Sequence, residues 1–209
     1  MMKDLKGILL LGLLLVGQRI SAADSANVVH YAAQPVGSTV KIEGTSTIHD
    51  WTMEGALIGG SLDADTSFPE SALTNAETAK PSAQVFIPVR SIKSDSRKMD
   101  EIMQEHMNAE KYPRIEYRLI ELKPKSGARE LQFDAVGALT VSGVTRTNTM
   151  PVTFERVDGG KLKVSGSTPL KMTDFGVKPP APTILGMPII KTGDDIKISF
   201  EWLVAKKAQ

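Results

Sequence analysis

The sequence predicts an all-β fold, one antiparallel sheet of about eight strands in a single domain, and three observations carry that prediction. Apolar residues recur with a period of two along most of the chain, the signature of strands with one buried face and one wet face. Glycine turns join several of the runs, which makes those strands antiparallel neighbours. The 209 residues hold no cysteine, so packing and backbone pairing must hold the fold without disulfides or thiolate metal sites. The composition is otherwise ordinary, 41% hydrophobic and 23% charged, with only two Trp, three Tyr and six Phe. A formal charge of +1 lacks the basic excess that nucleic acid or an acidic membrane surface would require.

The first segment reads as a leader. Lys3 and Lys6 precede an uncharged run from Gly7 to Val16, and Ser21-Ala22-Ala23 supplies the small residues of a cleavage site. That pattern predicts a secretory signal peptide over residues 1–23, cut after Ala23, and a periplasmic or secreted protein. The apolar run is about half the roughly 20 residues of a membrane span. Losing Lys3, Lys6, Arg19 and Asp4 leaves 22 basic and 23 acidic residues, net −1. Residues 24–36 are polar and patternless and read as a flexible tether. The folded domain is expected over 37–205, with 206–209 a solvated tail.

The strands follow in order. Val40 with Ile42 gives a short first run, and Trp51, Met53, Gly55, Leu57 and Gly59 a second. Residues 61–82 are polar and read as a surface excursion. Val85, Ile87 and Val89 form the third run, and Ile115, Tyr117 and Leu119 the fourth. Leu131, Phe133, Ala135, Gly137, Leu139 and Val141 make the fifth, turned at Ser142-Gly143 into Met150, Val152 and Phe154. Asp158-Gly159-Gly160 turns into Leu162, Val164, Gly166, Thr168 and Leu170. The clearest run is last: Ile196, Ile198, Phe200, Trp202 and Val204. About eight such strands suit a closed barrel, because closure removes exposed edges, with a two-sheet sandwich as the rival. Inward Gly55, Gly59, Ala135 and Gly137 would leave room inside a barrel.

Two segments depart from period two. Met99, Ile102, Met103, His106 and Met107 share one helical face, so Ser96 to Asn108 reads as an amphipathic helix packed at an end of the barrel. Its methionines offer a soft, adaptable surface that either packs on the barrel or edges an apolar opening. Residues 178–193 carry Pro179, Pro180, Pro182 and Pro188 among aliphatic residues. Proline excludes a helix interior or central strand there, and the loop is expected to pack as a lid.

Motifs for chemistry are sparse. Three histidines, His30, His49 and His106, show no ligand spacing for a metal. In a strand His49 and Asp50 would face opposite ways, so Ser46-Thr47-Ile48-His49-Asp50 is no hydrolase triad but a polar strand start that satisfies backbone groups. Asp174-Phe175-Gly176 spells a kinase signature without its partners, and Gly176 is expected to end a turn.

Four phrases resemble the YceI-like family of exported proteins associated with polyisoprenoid binding. They are Gly44-Thr45-Ser46-Thr47-Ile48-His49-Asp50-Trp51, then the Lys111-Tyr112-Pro113 turn leading to Tyr117, then Gly137 to Arg146, and finally Leu170 to Val177. The resemblance implies a lipocalin-like eight-stranded barrel, closed at one end by helix, with an apolar channel for a long isoprenoid chain. His106 and Met107 stand where the helix end in that family often carries two Phe. The expected partner is an amphiphilic isoprenoid lipid, a quinone or its precursor, held without cofactor, metal or catalytic group. Strand alternation places Trp51, Met53, Val85, Ile87, Ile115 and Tyr117 inward as its lining. Phe133, Leu139, Phe154, Phe200 and Trp202 continue that lining, and Met103 and Met107 would edge the opening. The alternatives are a solid-cored barrel whose loops bind a cell-envelope protein, and an enzyme using His49 or His106 as acid–base on a bound isoprenoid.

Overall fold

The computed structural model describes residues 28–74, 80–125, 131–183 and 190–207. The expected signal peptide lies outside the described residues. Among them, the strands are β1 (Val28–Ala33), β2 (Thr39–Ser46), β3 (Trp51–Gly55), β4 (Gly59–Asp65), β5 (Ser82–Pro88), β6 (Arg114–Pro124), β7 (Leu131–Val141), β8 (Val144–Val157), β9 (Lys161–Lys171) and β10 (Thr192–Lys206). Two helices interrupt them: α1 (Glu70–Thr74) after β4, and α2 (Arg97–His106) between β5 and β6.

The sheet is a barrel and not a sandwich. Its strand order runs β1-β4-β5-β6-β7-β8-β9-β10-β2-β3, and an additional β1–β10 pairing closes the ring. Ten strands make eight staves, because β1 with β2 and β3 with β4 are each one stave broken in the middle. The fifteen-residue β10 explains how: its first two-thirds pair with β2, Ile196 opposite Gly44 and Phe200 opposite Val40. Its last residues pair with β1, Ala33 opposite Val204 and Tyr31 opposite Lys206.

The reading of residues 24–36 as a tether is corrected here for 28–33. Those residues form β1, which pairs with β4 as well as β10 and buries Tyr31 to 2% exposure. His30, on its outer face, meets Asp63 through Nδ1 at 2.8 Å. A three-stave seam needs this strand, yet Val-Val-His-Tyr-Ala-Ala carries too little alternation to announce it. The surface excursion over 61–82 is also corrected. Its first residues belong to β4, and Phe68, with no exposed surface, turns inward beneath the barrel ahead of α1.

The tight turn at Ser142-Gly143 is a hairpin with both residues at positive φ, 49° and 78°, so glycine at the second position relieves the strain that a side chain would feel. Gly176, at φ 69°, ends a short 3-10 turn over Met172–Phe175 after β9. A bulge between Leu119 and Glu121 in β6 leaves Ile120 outside and returns Leu122 to the core.

Candidate functional site

The two ends of the barrel differ in packing. At the end where β7 begins and β8 finishes, Phe133 packs edge-on against Phe154 with centroids 5.6 Å apart, and Phe154 packs edge-on against Phe68 at 5.0 Å. Leu62, Leu162 and Ala72 are fully or almost fully buried around them. Outside, the Arg156 guanidinium clasps Glu70 through Nε and Nη2, and Nη2 also donates to the Phe68 carbonyl, tying α1 across the base. The Glu70 carboxyl is held below its ordinary pKa chiefly by that hydrogen bond. This end is sealed.

Above the aromatic plug the interior is open. Inward residues there, including Val85, Ile87, Tyr117, Leu119, Ile198 and Phe200, keep accessible surface although the sheet surrounds them. They border a cavity of about 120 Å³ whose wall is almost wholly apolar. A second cavity of about 420 Å³ continues it toward the far end, beneath α2. Ile42, Ile115, Leu170 and Ile198 face both, forming the collar between them.

The outer cavity is built by four segments. From α2 come Met99, Ile102, Met103, His106 and Met107, the face that the helical spacing marks. The β2–β3 hairpin gives Ile48, His49, Trp51 and Met53, and the turn after β9 gives Met172, Phe175 and Val177. Pro180, Pro182 and Ile190 complete the rim. Within the proline-rich loop expected to act as a lid, residues 184–189 lie outside the described residues.

Each wall has a local cause. Ser96 caps α2, its hydroxyl accepting from the Met99 N–H. Asp100 is buried against Ser94, whose N–H and hydroxyl both donate to its carboxylate at 2.7 and 2.9 Å. Burial opposes its ionisation, but the Ser94 donors and the Lys93 ammonium outweigh that and hold its pKa below the usual carboxylate range. The other end of α2 is pinned where the Ser142 hydroxyl donates to the Met107 carbonyl at 2.7 Å. In the β2–β3 turn, Ser46 Oγ accepts from the His49 N–H at 3.3 Å and donates to its carbonyl at 2.8 Å. Trp51 Nε1 donates to the Thr45 carbonyl at 3.0 Å while its ring lies over Gly44.

The two imidazoles at the outer cavity are oriented by backbone and not by carboxylates. His49 Nδ1 sits 2.7 Å from the Asp50 carbonyl and His106 Nδ1 2.7 Å from the Lys178 carbonyl. A carbonyl only accepts, so each Nδ1 carries the proton. Among the described residues no group of three or more His, Asp or Glu stands together to hold a metal ion.

All the lining residues expected from alternation border one cavity or the other, except Phe133. Trp51, Met53, Met103 and Met107 border the outer cavity, and Ile115 borders both. Val85, Ile87, Tyr117, Leu139, Phe154, Phe200 and Trp202 border the inner one. Phe133 points inward as its phase requires, but at the sealed end, where its ring is part of the plug. The amphipathic helix stands at an end of the barrel as expected, with Met103 and Met107 at the opening. α2 walls the open end, and Phe68 with α1 closes the other. The glycines expected to face inward leave no empty space. Tyr117 covers Gly137 so closely that a Cβ would collide with Cζ and the hydroxyl. Gly59 pairs with Phe86 on the outer face, where Arg114 stacks on that ring at 4.4 Å. Gly55 abuts Val40, the Ser91 carbonyl and Ile92.

Sequence reasoning missed Asn148. It faces inward on β8, opposite Gly137, and its Oδ1 is buried without a hydrogen-bond partner. Tyr117 Oη and Trp202 Nε1 share that condition, and all three residues border the inner cavity. Burial pushes the Tyr117 phenol up to about 12, so it stays protonated and can both donate and accept. The available signal was phase: Asn148 lies two residues before Met150 in the same inward series.

A family model for the YceI-like domain matches residues 31–203. The chain belongs to the YceI-like family. This YceI-like chain also shares its fold with solved structures of low identity. Burkholderia cenocepacia BcnA superposes with a TM-score of 0.61 at 20% identity, covering 80% of this chain and 98% of that one. A polyisoprenoid binding domain from Saccharophagus degradans, implicated in plant cell wall breakdown, gives 0.65 at 12% identity, covering 86% and 99%. A Campylobacter jejuni YCEI protein gives 0.54 at 19% identity, covering 75% and 85%. No curated protein matches the chain in sequence. The match begins at Tyr31, inside β1, so the family's domain includes the last six residues of the segment that the sequence alone suggests is a tether.

Proposed function

We propose that this YceI-like protein carries an amphiphilic isoprenoid lipid, sequestering its tail in the barrel channel. The observation that carries the reading is the channel itself: two apolar cavities in series, sealed by Phe68, Phe133 and Phe154 at one end and rimmed by α2 at the other. Burying apolar surface is worth about 25 cal/mol per Å², offset by freezing the tail's rotors, so retention requires no catalytic group. The methionines of α2 can repack around chains of different shape. The polyisoprenoid binding domain with the same fold supports the ligand class. We further propose that residues 1–23 direct export and that the carrier works in the periplasm or outside the cell.

Organic extraction of the purified protein followed by mass spectrometry tests the ligand. A recovered isoprenoid, and quenching of Trp51 fluorescence when it is added back to stripped protein, are the expected results. Protein that yields no lipid and whose Trp51 ignores added isoprenoids would refute the carrier. Export is tested separately by fractionating cells and sequencing the N-terminus of the protein recovered. A start at Asp24 is expected.

A further inference from the structure

Three residues that border the inner cavity hold buried polar atoms without partners, which an isoprenoid tail cannot satisfy. Trp202 is only 4% exposed, and its Nε1 has no hydrogen-bond partner. Tyr117 Oη and Asn148 Oδ1 are buried in the same state. The last two converge: Tyr117 lies over Gly137, and Asn148 is the residue directly across the β7–β8 ladder from that glycine. Trp202, on β10 opposite Val164, stands nearer the plug. Leaving a buried donor or acceptor unmet costs about 1–3 kcal/mol, and native proteins leave few. Three among the residues of one apolar cavity would gain from an occupant that carries an oxygen and gain nothing from a purely hydrocarbon one. Together they offer a donor from Trp202, an acceptor from Asn148, and either from Tyr117. A hydroxyl or phenol oxygen matches that set, since it both accepts and donates.

We infer that Tyr117, Asn148 and Trp202 form a polar subsite inside the channel that binds an oxygen-bearing group of the ligand, so that the lipid enters polar end first. The inference rests on the carrier reading and gives the ligand its orientation. The tail then extends outward through the Ile42–Ile115–Leu170–Ile198 collar into the methionine-walled outer cavity. Selectivity for a prenol or prenylated phenol over a prenyl hydrocarbon follows, because the oxygen would pair polar atoms that the hydrocarbon leaves unpaired.

Calorimetric titration of stripped protein with geranylgeraniol, and with the same tetraene lacking its hydroxyl, tests this. The alcohol is expected to bind tighter, by about fivefold for each hydrogen bond gained. Tyr117→Phe and Asn148→Leu should each erode that preference. Trp202→Phe should do the same if it melts like the parent. The wild-type comparison alone stays decisive should a variant fail to fold. Equal affinity for alcohol and hydrocarbon would overturn the subsite and leave the carrier standing. A preference that survives Tyr117→Phe and Asn148→Leu but falls in His49→Ala or His106→Ala would put the hydroxyl at the rim and overturn it as well. Ordered water bridging these atoms in crystals both with and without the alcohol would also overturn it. Failure of both prenyl compounds to bind would refute the carrier reading itself.

Discussion

Single residues divide this barrel into a part that is packed for stability and a part that is left open. Phe133 and Tyr117 both obey inward phase, yet one fills a plug and the other borders a void. Phe133→Ala is therefore expected to destabilise the fold by about 3–5 kcal/mol, the cost of emptying a packed aromatic site. Denaturant unfolding with an unchanged m-value would measure it. A loss under about 1 kcal/mol would mean the plug is loose. Face assignment was legible from alternation because period two fixes which side a residue takes. Depth along the barrel was not, since neighbouring strands set it through register. Asn148 stayed hidden for a related reason: its inward direction follows from Met150 and Val152, but its want of a partner depends on what crosses the barrel.

The elements bordering the channel are held by polar anchors at their ends. The helical period of Met99, Met103 and Met107 and the cap at Ser96 are local features, which is why residues 96–108 could be read as a helix. Its attachment relies on contacts distant in sequence, Ser142 to Met107 and His106 to Lys178. Asp100 secures its first turn through Ser94. Asp100→Asn should cost about 1–2 kcal/mol at neutral pH. Because the folded carboxyl titrates below its unfolded value, this contribution is complete above about pH 4 and is lost as pH falls through the folded pKa. Melting curves of parent and variant should therefore converge in acid. A gap that persists or widens toward low pH would contradict the assignment. Strand β1 shows the opposite case, an element with weak local signal that exists because β4 and β10 both present edges to it.

At the scale of the whole molecule, closure is the decisive property. Deleting residues 28–33 should open the seam between β4 and the last residues of β10, removing Tyr31 from the core and exposing two edges. The expected loss is at least about 3–5 kcal/mol, with faster amide exchange in 61–65 and 204–206 than in β7. Unchanged melting and exchange would show that the ring does not need β1.

The sequence by itself determined the all-β class, the stave count, the antiparallel hairpins, the amphipathic helix and the inward phase of the longer strands, because these follow from side-chain period and turn chemistry within a few residues. The family resemblance rested on local phrases of the same kind. Only the tertiary structure decided which end is sealed, that β1 closes the ring, that rings cover Gly59 and Gly137, and that three buried polar atoms without partners belong to residues around one apolar cavity. Those facts depend on register and on the spacing of staves across the barrel, where residues far apart in sequence become neighbours.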